Sequence, residues 1–276
     1  MLPDALFLNV HMYGIMLAVG VLAAFGMLWY CGKKLGYPTK LIDFIYYDGL
    51  VSIAVGFGTA ALFQSLYNYI EDPSHGFHLG EGITFLGGLI GGAACFIGAY
   101  FALRKKLDLD FDLWDTLEIV PCMITVAHGF GRIGCFFAGC CYGKPTDSFL
   151  GVKFPELPER VHPTQLYEAA FLFALFGVLL YLLMKGKGRH NFPIYLIAYG
   201  IFRFLLEFVR DDPRGKLLGV LTPSQVWSLV MVIAGAALIY MRTRPTLDNA
   251  DTVEAIEADE VAETDETVET DETVDE

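Results

Sequence analysis

Charge is scarce in this chain. Only 18% of its 276 residues are Asp, Glu, Lys or Arg, against about a quarter in a soluble globular domain. With 54% hydrophobic residues gathered in long runs and a mean hydropathy of +0.47, that shortage excludes a soluble enzyme built on one water-facing core. Basic residues are missing from the beginning, the first being Lys33, so the charged n-region of a cleavable signal peptide is not expected. No CxxC pair occurs among the six cysteines, and their density is far below that of a disulfide-stapled scaffold. Lys and Arg are also absent from Pro245 to Glu276, where fourteen Asp or Glu accumulate. Without that stretch residues 1–244 carry a net charge of +1, so the pI of 4.8 describes an appendix. An acidic appendix on a near-neutral body argues against nucleic acid as a partner.

The apolar runs are long enough to cross a bilayer, which takes about 20 mostly apolar residues. Seven segments qualify: Leu8–Tyr30, Phe44–Tyr67, Ile83–Leu103, Leu113–Ala138, Thr164–Met184, Phe192–Val209 and Thr222–Met241. The loops after the odd segments hold eleven Lys or Arg, those on the opposite side six. The positive-inside rule therefore predicts an outer N-terminus and a cytoplasmic C-terminus. The expected fold is an all-α polytopic membrane protein of seven spans over residues 1–244. A disordered cytoplasmic tail is expected over 245–276, where ETDETV occurs twice. Gly87-Gly88-Leu89-Ile90-Gly91-Gly92 in the third segment reads as a small-residue packing face.

Ionisable groups inside such segments cost roughly 2.5–3.5 kcal/mol each on insertion scales, so they face a polar cavity or a partner. Tyr199, Arg203, Glu207 and Arg210 recur at helical spacing in the sixth segment, on one stripe. The stripe reads either as an anion site with its own counter-ion or as an Arg–Glu brace for the bundle. Arg132 lies near the outer end of the fourth segment, one turn after His128, which is either part of a site or a hydrogen-bonded core histidine. Arg132 and Arg203 offer the bidentate donors that suit a phosphate, and a lipid headgroup supplies one at that depth. Glu168 sits just inside the fifth segment, as a helix-terminus carboxylate or as a wall of a polar cavity. Cys135, Cys140 and Cys141 form a C-x4-C-C group. It lacks the paired spacing and fourth ligand of a zinc site, so packing is expected, with redox chemistry of the adjacent pair as the alternative and neither metal nor cofactor.

Five motifs in order, HMYG at 11–14, GGLIGG at 87–92, GRIGCFFAGCCYGKPTD at 131–147, HPTQLYE at 162–168 and YGIFRFLLEFVR at 199–210, make the chain resemble the prolipoprotein diacylglyceryl transferase family over roughly Val10 to Arg242. The resemblance implies a multi-pass enzyme of the cell membrane. Such an enzyme moves the diacylglyceryl group of phosphatidylglycerol onto the lipobox cysteine of a prolipoprotein and releases glycerol phosphate. Tyr13, Arg132, Gly143, Glu168, Tyr199, Arg203, Glu207 and Arg210 stand where that family has its polar site residues. Arg132, Arg203 and Arg210 would hold phosphate, with Gly143 lining the same substrate site. Glu207 would orient Arg203, Tyr13 and Tyr199 would donate hydrogen bonds, and Glu168 would position a headgroup hydroxyl or an arginine. Three positions depart from the family pattern: Leu86 replaces a histidine, Cys135 an asparagine and Cys140 a glutamate. His128 is expected to take over as the base for the acceptor thiol. The departures leave room for a same-fold transferase with another acceptor. A lipid transporter is the remaining alternative, although no internal repeat is visible.

Overall fold

The computed structural model describes residues 11–79, 82, 84–211 and 221–243. The acidic stretch at 245–276 and the first residues of segment one lie outside the described residues. Among the described residues there are seven α-helices: α1 Met12–Leu35, α2 Thr39–Glu71, α3 Phe85–Leu103, α4 Leu113–Ala138, α5 Thr164–Met184, α6 Asn191–Leu206 and α7 Pro223–Thr243. A two-stranded antiparallel ribbon, β1 Val152–Lys153 and β2 Arg160–Val161, decorates the loop between α4 and α5. The all-α expectation holds, and each of the seven apolar segments contains one helix. Five of these, α1, α2, α4, α5 and α7, are long and apolar enough to cross a membrane.

Local chemistry explains several boundaries. α1 stops at Gly36, whose left-handed φ of 66° lets its N–H reach the Gly32 carbonyl, with Lys33 and Lys34 in the last turn where cations suit the helix dipole. α4 opens on a reciprocal cap in which Asp112 serves the Asp115 amide and Asp115 the Asp112 amide. It closes at Gly139, again left-handed. α5 begins directly after Pro163, as a residue without an amide donor allows. α2 is longer than its apolar run predicts, 33 residues, beginning at Thr39 and ending at Glu71; near its end Gln64 donates to Asn68 along the helix at 2.8 Å.

Successive helices alternate in direction, so the starts of α1, α5 and α7 share an end of the bundle with the ends of α4 and α6. α4 touches α1, α2, α5 and α6. Its contact with α1 depends on two glycines: a Cβ on Gly20 would stand 2.8 Å from the Ala127 carbonyl oxygen, and one on Gly134 would stand 3.1 Å from Tyr13 Cδ2. A buried cluster including Leu28, Ile45, Tyr100, Ile119, Leu172 and Leu179 fills the middle and the opposite end. Outside it, apolar side chains such as Leu22 and Ile233 are 72% and 67% exposed. Such apolar surface is what a lipid-facing helix presents.

The small-residue run of α3 is a packing face, as its spacing predicts. Cβ atoms on Gly88 and Gly92 would lie 3.2 and 3.1 Å from the backbone oxygens of Gly56 and Ser52 on α2, so the two helices meet nearly backbone to backbone. Gly98, on the same helix, has nothing within 4 Å. Gly88→Val should therefore lower the melting temperature in detergent by several degrees, corresponding to about 1–3 kcal/mol of overpacking, while Gly98→Val should leave it unchanged.

Candidate active site

Glu168 is the fixed point of the polar end. One turn into α5, it is fully buried and gathers three partners from two other helices. Tyr199 of α6 donates its hydroxyl to Oε1 at 2.8 Å. From α4, the Arg132 Nε lies 3.0 Å from Oε2 and the His128 Nε2 lies 3.7 Å from Oε1. The Arg132 Nε–H is itself directed at His128 Nε2, 3.2 Å away. Arg132 thus gives Glu168 its charge, and Oε2 keeps an acceptor direction to which no hydrogen bond is made among the described residues. The ring of Tyr199 stacks on Tyr195 at 5.8 Å and meets His128 edge-on at 5.4 Å, which fixes the phenol over the carboxylate. Glu168 is thus enclosed among polar partners from two other helices.

Arg203, one turn beyond Tyr199 on α6, forms the second pair. Its Nη1 donates to Glu207 Oε2 at 2.6 Å and its Nη2 to Ser224 Oγ at 3.0 Å. All three charged residues of this strip are buried: Arg203 and Glu207 are 8% exposed and Arg210 5%. Arg203 also stands within electrostatic reach of Glu168 and His128. Arg132 thus pairs with Glu168 directly, and the charge of Arg203 acts on the same carboxylate. Ser224 carried no signal in the sequence, since a serine after a proline at a helix start reads as a capping residue.

Arg210 does not sit on the helical stripe that its spacing predicts. α6 ends at Leu206; Phe208 and Val209 donate back to Leu205 and Leu206 in tight turns, and Arg210 bridges to Gly143. The cause lies far off in sequence. The Lys144 amide donates to the Val209 carbonyl at 2.8 Å and the Gly143 amide to His162 at 2.8 Å, which draws the chain out of the helix. A Cβ on Gly143 would stand 2.5 Å from the Val209 oxygen, so glycine is demanded by close backbone approach. Gly143 holds the α4–α5 loop against the end of α6 and so places Arg210. Tyr13 stands beside the cluster, against Gly134, within electrostatic reach of Arg132, without a bond to these groups among the described residues. His162 turns instead to the Tyr167 hydroxyl at 3.1 Å.

The loop cysteines lie next to this end. Cys140 and Cys141 are anchored by α5: the Gln165 side chain donates to the Cys140 carbonyl, and Thr164 Oγ1 donates to the Cys141 carbonyl at 2.7 Å. The Cys141 thiol is held below the ordinary thiol range by hydrogen bonds from Cys135 and Cys140, helped by the charges of Arg210 and Arg132.

Glu168→Ala would leave the Arg132 charge and the Tyr199 hydroxyl buried without their partner. It should cost about 3–5 kcal/mol of stability, read by denaturation of the detergent-solubilised protein. Glu168→Gln keeps an acceptor for Tyr199 and should cost clearly less.

Comparison with known proteins shows the family. Residues 3–241 match the family model described as prolipoprotein diacylglyceryl transferase. A phosphatidylglycerol–prolipoprotein diacylglyceryl transferase of Clostridium tetani is 38% identical over 234 residues, covering 83% of this chain and 91% of that protein. Clostridium perfringens has a protein named phosphatidylglycerol–prolipoprotein diacylglyceryl transferase 2 that is 34% identical, covering 84% and 90%. An Aeromonas salmonicida protein named as such a transferase is 33% identical over 249 residues, covering 84% of this chain and 86% of its own length. With a match that spans nearly its whole membrane body, the chain belongs to the prolipoprotein diacylglyceryl transferase family.

Proposed function

We propose that this protein is a diacylglyceryl transferase. It takes the diacylglyceryl group of phosphatidylglycerol, gives it to the cysteine thiol of a prolipoprotein lipobox, and releases glycerol phosphate. The observation that carries the reading is the pairing of the part-buried Arg132 with Glu168, with the buried Arg203 within electrostatic reach of the same carboxylate. The names of the related proteins supply the two substrates. In this reading all seven helices span the cell membrane, with α3 and the short α6 completing the set, the N-terminus outside and an acidic cytoplasmic tail.

The chemistry follows from charge. An acceptor thiolate attacks the glyceryl carbon, a C–S bond forms, and the C–O bond to phosphate breaks, its electron pair leaving with glycerol phosphate. One negative charge on the phosphodiester becomes two on the monoester, so the largest gain comes from donors that tighten on the leaving group. Arg132 and Arg203 are the donors. Glu207 at 2.6 Å and Ser224 at 3.0 Å hold the Arg203 fork in a fixed orientation, and Arg210 adds positive potential from the loop junction anchored at Gly143. Glu168 offers Oε2 to a headgroup hydroxyl, and Tyr199 keeps the carboxylate in place. Tyr13 adds a phenolic donor at the mouth of the site. When phosphate draws the Arg132 fork away, the Nε2 of His128 is released from the Arg132 Nε–H and takes the proton of the acceptor thiol.

Purified protein with labelled phosphatidylglycerol and a lipobox peptide should yield labelled peptide and glycerol phosphate. Glycerol phosphate without labelled peptide would mean another acceptor, and no turnover would mean a protein that only binds or moves lipid. Arg132→Lys, which keeps the charge but loses the planar fork, should lower kcat by about 10²–10³-fold. His128→Ala should lower it by roughly 100-fold or more, with the folded state intact by circular dichroism; full retained activity would remove His128 from the role of base.

A further inference from the structure

One set of reactive side chains takes no part in that mechanism. Cys135, in the last turn of α4, and Cys140 and Cys141, in the loop beyond it, have Sγ atoms within 4.8 Å of one another, and all three are free thiols. The backbone brings them together. Gly139 ends α4 with a φ of 72°, the Cys140 amide returns to the Cys135 carbonyl at 3.2 Å, and Cys141 adopts a φ of 62°. A left-handed conformation is strained for a residue with a Cβ, and here the strained residue is one of the three thiols. The carbonyls of Cys140 and Cys141 are both clamped by the first turn of α5, so the arrangement is built in and does not rest on the thiols alone. Cys140 is exposed while Cys135 and Cys141 are half-buried, which leaves one side open to solvent.

Three thiolates at this spacing are ligands for a thiophilic divalent cation. Zinc binds sulfur at about 2.3 Å, so tetrahedral ligands lie roughly 3.8 Å apart, reached from the present spacing by an adjustment of about 1 Å or less. A site with three protein ligands keeps a fourth position for water or substrate. We propose that Cys135, Cys140 and Cys141 bind one zinc ion as thiolates and that its fourth position receives the acceptor's cysteine thiol. This rests on the transfer reading above and names the group that prepares its nucleophile.

The location suits that task. Cys135 follows Arg132 by three residues on α4, and Arg132 is within electrostatic reach of both Cys135 and Cys141. A lipid phosphate gripped by Arg132 therefore presents its glyceryl carbon beside the metal. A thiol that coordinates zinc gives up its proton, which passes to His128. Three thiolates already offset the zinc charge, so the fourth sulfur keeps the negative charge that makes it a nucleophile. It attacks the carbon, the C–O bond breaks toward phosphate, and the resulting thioether, a weaker ligand, leaves the metal with its three cysteines. No electrons enter or leave. The sequence spacing argues against a metal because C-x4-C-C is not a paired motif; the helix cap and the left-handed turn supply the proximity that spacing does not.

The test uses full-length protein in nanodiscs, kept reduced, stripped with a chelator and reloaded with zinc or cobalt(II). About one metal per chain is expected, with thiolate-to-cobalt charge-transfer absorption in the cobalt form. Cys135→Ser and Cys140→Ser should each weaken metal binding roughly tenfold or more, while Cys95→Ser on α3 should not. A lipobox peptide should intensify the cobalt band, and the same peptide with serine for cysteine should not. Both readouts on the unsubstituted protein decide the matter even if a serine variant fails to fold. Substoichiometric metal, or a cobalt band indifferent to the peptide thiol, overturns the proposal. The band is read without lipid. A protein that binds cobalt and the peptide thiol but transfers nothing therefore refutes the transfer reading alone, whereas transfer undiminished by stripping refutes the zinc inference alone.

Discussion

A carboxylate with no exposed surface is costly in any protein and more so in a bundle whose outer faces are apolar. Glu168 is tolerated because Arg132, His128 and Tyr199 converge on it from two other helices, and none of them could move far without leaving a charge or a donor unpaired. That single constraint fixes α4, α5 and α6 relative to one another at the polar end. On its other side α4 lies close against α1, which Gly20 and Gly134 permit.

The charge pattern of this end is what the transfer reading uses. Arg132, Arg203 and Arg210 bring three positive charges and Glu168 and Glu207 two negative ones, all from residues at most half-exposed. In that reading the second charge that develops on the leaving monoester is met by arginine forks already in position.

The helices that end on local chemistry were the ones legible in the sequence. α4 and α5 begin and end where their residues indicate, since Asp112, Asp115, Gly139 and Pro163 act on their own neighbours. Arg132, Glu168, Tyr199 and Arg203 were legible for a different reason: a charge or phenol inside an apolar run must have a purpose. The end of α6 was not legible. Helical periodicity continues to Arg210, and only the pairing of Val209 and Arg210 with Lys144 and Gly143, more than sixty residues away, takes the chain off that path. Ser224 was missed because its hydroxyl acts across helices. The proximity of the cysteine trio was not legible either, because it depends on two left-handed residues, Gly139 and Cys141, which spacing does not encode.

In the transfer reading, Arg132 exchanges partners within a rigid bundle. Its Nε–H points at His128 while its charge rests near Glu168, so it is held by two groups that neither saturate it nor let it drift. A phosphate entering between Arg132 and Arg203 replaces one anion by another around the same guanidinium. In the transfer reading that exchange leaves Glu168 with Tyr199 and His128 as partners, and the imidazole loses a donor at the moment when a thiol must lose its proton. An aliphatic residue at position 168 would pack as well but would leave Arg132 either solvated toward the headgroups or without a resting partner. In the transfer reading the buried carboxylate is thus the arginine's resting partner, and its remaining Oε2 direction is available to the headgroup whose phosphate draws the arginine away.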